Sequence, residues 1–258
     1  MRRFSIVIPA YNEAENIPQV IAAIVPILES ADIPFEMLFV DDHSSDGTAS
    51  VVRLAAAQDA RIKYVSNDYP RGYGFAVRKG LDSFSGDMVA VVMADCSDDP
   101  NDIVTYYRKM CEGYDCVFGS RFAKTSLVTG YPFHKMLLNR VGNWMICCMF
   151  WIPYDDVTNA FKCYSREAVD GMRPFLSCTF NLTVELPLKA IARGYSWAVV
   201  PTNWYGRKKG ISKWKVVELG SRYVFILLYV WLEQLLSRGD YRKGRNFSGH
   251  VHLSKDSE

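Results

Sequence analysis

Three stretches of this 258-residue chain run from strand-like apolar residues straight into side chains that could do chemistry. Phe4 to Ile8 leads into Pro9, Ala10, Tyr11, Asn12 and Glu13. Phe35 to Val40 leads into Asp41, Asp42, His43, Ser44, Ser45, Asp46, Gly47 and Thr48. Met88 to Met93 leads into Ala94, Asp95, Cys96, Ser97, Asp98, Asp99 and Pro100. A carboxylate in such a place can cap the next helix, hydrogen-bond a ligand, or hold a divalent cation against phosphate. Asp46 before Gly47-Thr48 and the pair Asp98-Asp99 before Pro100 suit capping, because Asp satisfies free N–H groups and Pro fits the first helical position. Asp95 comes at the strand end itself, too early for a cap, which leaves it as the candidate ligand.

Two further groups of residues carry charge. In Asn67 to Gly80, Gly72 and Gly74 precede a helix beside Arg71, and backbone N–H groups at a helix start next to an arginine suit a diphosphate. Basic residues also stand in Gly119-Ser120-Arg121-Phe122, in Asn139-Arg140-Val141-Gly142-Asn143, and from Arg207 to Lys213. Near apolar runs, such a set suits a phosphate at the head of a hydrophobic chain, since arginine presents forked donors to phosphate oxygens. Nucleic acid is disfavoured as the acceptor, because the C-terminal aromatics alternate with aliphatics and form no stacking surface.

The elements that must position these residues are set by periodicity. Strands are predicted at Phe4 to Ile8, Phe35 to Val40, Ile62 to Val65, Met88 to Met93 and Cys116 to Phe118. Helices are predicted at Glu15 to Leu28, Ala49 to Ala57, Gly74 to Phe84 and Asn101 to Cys111. This is the order of a doubly wound α/β fold with a mostly parallel sheet, whose ligands lie beyond the carboxyl ends of the strands. Further on, a helix from Lys135 to Phe150, a loop from Tyr154 to Asn159, a strand from Phe161 to Tyr164, a helix from Leu182 to Arg193 and a strand from Trp197 to Val200 complete one domain over residues 1–212. From Lys213 an apolar face spaced at three and four (Val216, Leu219, Tyr223, Ile226, Leu227, Val230, Trp231) marks an amphipathic helix over 213–240, with a polar tail over 241–258. A membrane-interface helix, a packed core helix and an oligomer contact all fit that pattern.

Composition narrows the class. Residues 201–258 hold eleven Lys/Arg against five Asp/Glu, so the net charge of +2 conceals a basic C-terminal end. The seven cysteines include no CxxC pair, which argues against a zinc site or disulfide framework and for a reducing, cytoplasmic setting. The N-terminus lacks a signal-peptide pattern, and no apolar run reaches the length of a spanning helix. Trp144 to Pro153 and Tyr223 to Leu232 come partway, as buried helices or as surfaces that touch a membrane without crossing it.

In order and spacing, IVIPAYNEAENI, VDDHSSDGT, RGYGFAVRKG, MADCSDDP, GSRF, DVTNAFKCYSRE and RKKGISK resemble the motifs of family 2 glycosyltransferases, over roughly residues 4 to 215. The chain is especially similar to the dolichol-phosphate mannose synthase branch, the polyprenyl-phosphate glycosyltransferases. The resemblance implies a GT-A fold and an inverting transfer of a sugar from a nucleotide diphosphate donor, GDP-mannose or a UDP-sugar, to a polyprenyl phosphate. It implies that Pro9, Tyr11, Glu13, Asp41 and Asp42 surround the base and ribose, with Arg71, Gly72, Gly74 and Ala94 also on the donor. Asp95, together with Ser97, would hold Mg²⁺ or Mn²⁺. Arg121, Arg140, Arg207 and Lys213 would surround the acceptor phosphate and departing diphosphate, and Asp156 and Glu185 match acidic positions on the acceptor side. The implied protein is peripheral on the cytoplasmic face of a membrane. A rival within the family glycosylates a sugar hydroxyl, with Asp156 or Glu185 as the base; a rival of another class binds nucleotide sugars without catalysis. One residue departs from the family: Met93 stands where its first metal-binding Asp is usual, and a thioether is a poor ligand for a hard cation.

Overall fold

In the computed structural model, which describes residues 2–206 and 216–244, the elements in chain order are β1 (Phe4–Ala10), α1 (Ile17–Ser30), β2 (Phe35–Asp41), α2 (Thr48–Gln58), β3 (Ile62–Ser66), α3 (Tyr73–Ser83), β4 (Met88–Val91), α4 (Pro100–Cys111) and β5 (Cys116–Ser120). They continue with β6 (Val128–Thr129), α5 (Phe133–Phe150), β7 (Lys162–Ser165), α6 (Arg166–Gly171), α7 (Leu182–Ala192), β8 (Trp197–Pro201), β9 (Trp204–Tyr205) and α8 (Val216–Leu236). Seven strands form one sheet in the order β3-β2-β1-β4-β7-β5-β8. All neighbours run parallel except β7, which is antiparallel to β4 and β5.

Every residue of β1 and β2 is buried. Helices cover both faces of the sheet, so a central strand has no polar side and reads as a continuous apolar run. Ile6, Ile8 and Phe39 pack with Ile103 and Tyr106 on one face; Val7, Leu38 and Val40 pack with Val77, Leu186 and Ile226 on the other. The parallel register brings the ends of β1, β2 and β3 level, with Asp41 paired both to Ala10 and to Ser66. The chemically distinctive loops therefore leave from one edge.

Some expected boundaries move. β4 ends at Val91 instead of Met93, so Met93 already belongs to the loop. The two-residue strands β6 and β9 pair in a separate small sheet that the apolar pattern does not announce. The expected start of the last helix at Lys213 lies outside the described residues. α8 is docked on the body through Ile226 and Val230, both fully buried, and through a two-pronged pair of Arg193 with Glu233. Its other face keeps Val224, Phe225, Leu228, Leu232, Leu235 and Leu236 exposed. Among the described residues, no helix is long and apolar enough to cross a membrane.

Candidate active site

Asp42 ties together the ends of β1, β2 and β3. It is buried and accepts from Asn67 Nδ2 at 2.8 Å and from the Gly72 N–H at 3.0 and 3.1 Å. Asp41, also buried, accepts from the Ser44 N–H and the Tyr64 hydroxyl. Arg71, after β3, reaches the loop after β1, donating to the Tyr11 hydroxyl at 3.2 Å and stacking 5.2 Å from its ring. Pro9 pairs with Val40 in the register, directly beneath. Glu13 spends its groups on the chain entering α1: its side chain accepts from Asn16, and its N–H donates to Thr48. Pro9, Tyr11, Asp41, Asp42 and Arg71 thus lie together at the ends of β1, β2 and β3, with Glu13 beside them. Asn67, unremarked in the sequence, completes the group from the end of the third strand.

Gly72 and Gly74 have a different reason to be glycine from the one expected. The Gly72 N–H is committed to Asp42 and is not offered to a phosphate. A Cβ on Gly72 would fall 2.7 Å from the Cys178 carbonyl oxygen, and one on Gly74 would fall 2.5 Å from the Cys178 carbonyl carbon. The pair lets the backbone at 178–179 lie against the start of α3. At Gly72 the backbone N–H therefore serves Asp42, and both glycines are required by this close backbone packing.

Past β4, Ala94 is buried, and Asp95 accepts from the Ser97 N–H at 3.1 Å across a turn in which Cys96 takes a left-handed φ of 57°. Ser97 is buried. Asp99, not Asp98, caps α4 by accepting from the Asn101 N–H at 3.0 Å, with Pro100 at the first helical position. Asp98 instead folds back under the loop and accepts from the Met93 N–H at 3.2 Å. Burial and then the charge of Asp95 push the Asp98 carboxyl up to about 7.

Among the described residues no group of three or more acidic, His or Cys side chains could hold a metal by itself. One or two carboxylates plus a hydroxyl still fit a hard ion whose remaining positions come from phosphate oxygens and water. Asp95 with Ser97 meets that requirement, whereas the sulfur of Met93 does not.

On the other side of β4, Arg121 succeeds β5 and meets Asp156. The Arg121 backbone N–H donates to Asp156 at 2.9 Å, and its guanidinium donates at 2.8 and 2.7 Å. Burial opposes the guanidinium charge, but Asp156 outweighs it and holds the pKa above its ordinary range. Thr158, in the same loop as Asp156, accepts from Asn139 and Asn143 of α5, and its N–H donates back to Asn143. Arg140, one residue from Asn139, is exposed and lies 4.8 Å from the ring of Phe122, the residue after Arg121. Arg121 lies 5.6 Å from the same ring, so both arginines flank it beside the middle of α5. The outer face of that helix exposes Leu137, Leu138, Val141, Trp144 and Met145.

Glu185 is not brought to this site. It is fully buried in α7, where it accepts from the Leu176 and Ser177 N–H groups and pairs with Lys189 at 2.6 Å. Its role is to hold the turn before α7, which corrects the expectation of an acceptor-side acid. Arg207 and Lys213 lie outside the described residues. His43 has its ring nitrogen 2.9 Å from the Tyr69 carbonyl, joining the loops that follow β2 and β3.

The sequence pattern of glycosyl transferase family 2 matches residues 5–171. Polyprenol monophosphomannose synthase of Mycolicibacterium smegmatis is 28% identical over 218 residues, covering 82% of this chain and 81% of that protein. Glycosyltransferase AglD of Haloferax volcanii is 28% identical over 214 residues, covering 81% of this chain but 34% of that longer protein. Among solved structures, glucosyl-3-phosphoglycerate synthase from Mycobacterium tuberculosis, in complex with Mn²⁺, uridine diphosphate and phosphoglyceric acid, superposes with a TM-score of 0.66 at 20% identity. That match covers 89% of this chain and 78% of that one. At that identity the likeness shows the fold, an α/β sheet of the GT-A type.

Proposed function

We propose that this chain, which belongs to glycosyl transferase family 2 and is thus a hexose-transferring enzyme, moves its sugar from a nucleotide diphosphate donor to a polyprenyl phosphate at a membrane surface. The observation that carries the reading is the position of Arg121 and Arg140 around the Phe122 ring, beside the middle of a helix with an exposed apolar face. Cations for a phosphate next to a surface for a hydrocarbon chain match an amphiphilic acceptor. The similarity to polyprenol monophosphomannose synthase supports the same acceptor class.

The donor belongs beside Tyr11, Asp41, Asp42 and Arg71 at the strand ends, with its diphosphate toward Asp95. Mg²⁺ or Mn²⁺ held there by Asp95 and Ser97 would supply positive charge to the leaving diphosphate. The acceptor phosphate needs little help to become a nucleophile, since its second pKa is near 6 and it is largely ionised at neutral pH. Arg121 and Arg140 orient it and offset its charge as its oxygen attacks the anomeric carbon. The nucleoside diphosphate leaves from the opposite face, and the configuration inverts.

A sugar hydroxyl as acceptor would require a base. Asp156 is fully buried and spends both oxygens on Arg121, and Glu185 is spent on Lys189 and two backbone groups. That distribution favours the phosphate acceptor.

Peripheral attachment to a membrane through α5 and the outer face of α8 fits their exposed apolar residues, while α8 stays fixed to the protein by its inner face. The test is incubation of labelled GDP-mannose and UDP-sugars with polyprenyl phosphate, glycan acceptors or no acceptor, with Mg²⁺ or Mn²⁺. Transfer to the bare lipid phosphate is expected. Transfer only to sugar hydroxyls, or donor binding without transfer to anything, would replace this reading with one of its rivals.

A further inference from the structure

Lys162 is 1% exposed in the middle of the sheet, where β7 lies between β4 and β5. A buried ammonium is costly unless its protons are all used. Here Nζ donates to three backbone carbonyls: Val157 at 2.9 Å, Thr183 at 3.2 Å, and Asn159. The Thr183 carbonyl has a specific need for this partner. Residue 187, four positions along α7, is proline and has no N–H to give it. Val157 and Asn159 sit in the loop between Asp156 and β7, outside any strand or helix. Three donors thus meet three carbonyls that regular structure leaves unsatisfied.

The same loop controls both arginines of the acceptor side. Asp156 takes the three hydrogen bonds from Arg121, Thr158 ties to Asn139 and Asn143 around Arg140, and Asn159 donates to the Gly119 carbonyl. Burial pushes the Lys162 ammonium down to about 7; Asp156 and Asp98 favour its charge and Arg121 opposes it. The Tyr154 ring lies 5.9 Å away.

We infer that Lys162 is a positioning residue whose ammonium, clamped beneath the 156–159 loop, sets Arg121 and Arg140 in register for the acceptor phosphate. It touches neither donor nor acceptor itself. This inference rests on the phosphate-acceptor reading, so its test begins with direct binding of a short polyprenyl phosphate to the wild-type protein. A nucleoside diphosphate with Mn²⁺ serves as the donor-side probe. If the wild type binds no prenyl phosphate, the functional reading fails and takes this inference with it.

Given binding, Lys162→Met should weaken prenyl-phosphate affinity about tenfold or more while nucleoside diphosphate affinity stays within about twofold. Lys162→Arg, which restores donors to the loop, should recover most of the loss. Lys162→Gln keeps two donors without charge and provides a second neutral variant where Met does not fold; it should show the same selective loss in smaller degree. Equal loss on donor and acceptor sides, no loss in either neutral variant, or no recovery in Lys162→Arg would each overturn the inference.

Discussion

Arg121 and Asp156 meet through three hydrogen bonds between 2.7 and 2.9 Å, with the carboxylate wholly buried and the guanidinium side chain 9% exposed. Removing one partner of such a pair strands the other, at a cost of about 3–5 kcal/mol. Asp156→Ala should therefore lower the melting temperature and weaken acceptor binding together, because Arg121 loses the group that aims it. Nucleoside diphosphate binding, measured by calorimetry, should change little, since Asp42 and Tyr11 lie on other strand ends. A variant with unchanged melting and acceptor KM would remove Asp156 from its assigned part.

Met93 and Asp95 test the cation. Asp95→Ala should abolish transfer and metal-dependent nucleotide binding while the melting curve stays close to wild type. Met93→Asp would place an oxygen donor where a sulfur now stands, and should tighten Mn²⁺ binding in the presence of a nucleoside diphosphate by about tenfold, or ~1.4 kcal/mol. Titration monitored by electron paramagnetic resonance reads this without turnover. Unchanged affinity would show that position 93 does not face the ion.

The frame of the site was legible because buried parallel strands advertise themselves. β1 and β2 are apolar almost throughout, and the loops leaving them must lie on one edge. The details that stayed hidden share a cause, which is that local sequence does not reveal distant partners. Asp98-Asp99-Pro100 satisfies the rule for a helix cap with either acid; only the Met93 N–H distinguishes Asp98 from Asp99. Gly72 and Gly74 answer to the backbone of Cys178 and Thr179, about a hundred residues away. Glu185 carries the charge of a catalytic group and the burial of a core one, and its partners Leu176, Ser177 and Lys189 decide between them. Lys162 was hidden because its partners are backbone carbonyls, which every residue has.

Glu36 predicts an acid-labile element away from the site. Its carboxylate is fully buried on β2 and receives Lys63 at 2.5 Å, the Ser5 hydroxyl at 2.6 Å and both donors of Ser85. Burial alone would raise its pKa, but Lys63, Ser5 and Ser85 together hold it down from 4.5 to about 2. The folded state therefore binds this proton less readily than the unfolded state. The stabilisation, about 3 kcal/mol, is present above pH 4.5 and is lost as pH falls toward 2. Glu36→Gln should melt lower at neutral pH and show a flatter decline in acid, seen in denaturant midpoints between those limits. A parallel decline in both proteins would mean that other carboxylates dominate.

The apolar surface makes the last prediction. Trp144 is 66% exposed, Trp151 93%, Phe225 61% and Leu228 48%, although neighbours on the same helices or just beyond them, such as Ile146, Phe150 and Ile226, are buried. Because the exposed set contributes little to the core, Trp144→Gln with Trp151→Gln, or Phe225→Gln with Leu228→Gln, should leave the melting temperature within a few degrees. Each large apolar side chain moved from water into a lipid interface is worth ~1.5–3 kcal/mol when fully buried. Each pair of changes should therefore reduce cosedimentation with anionic vesicles by about tenfold or more. Light scattering separates the competing explanation: if the same variants instead convert an oligomer to a monomer and leave vesicle binding intact, these faces join copies of the chain. If neither property moves, neither face is a membrane contact.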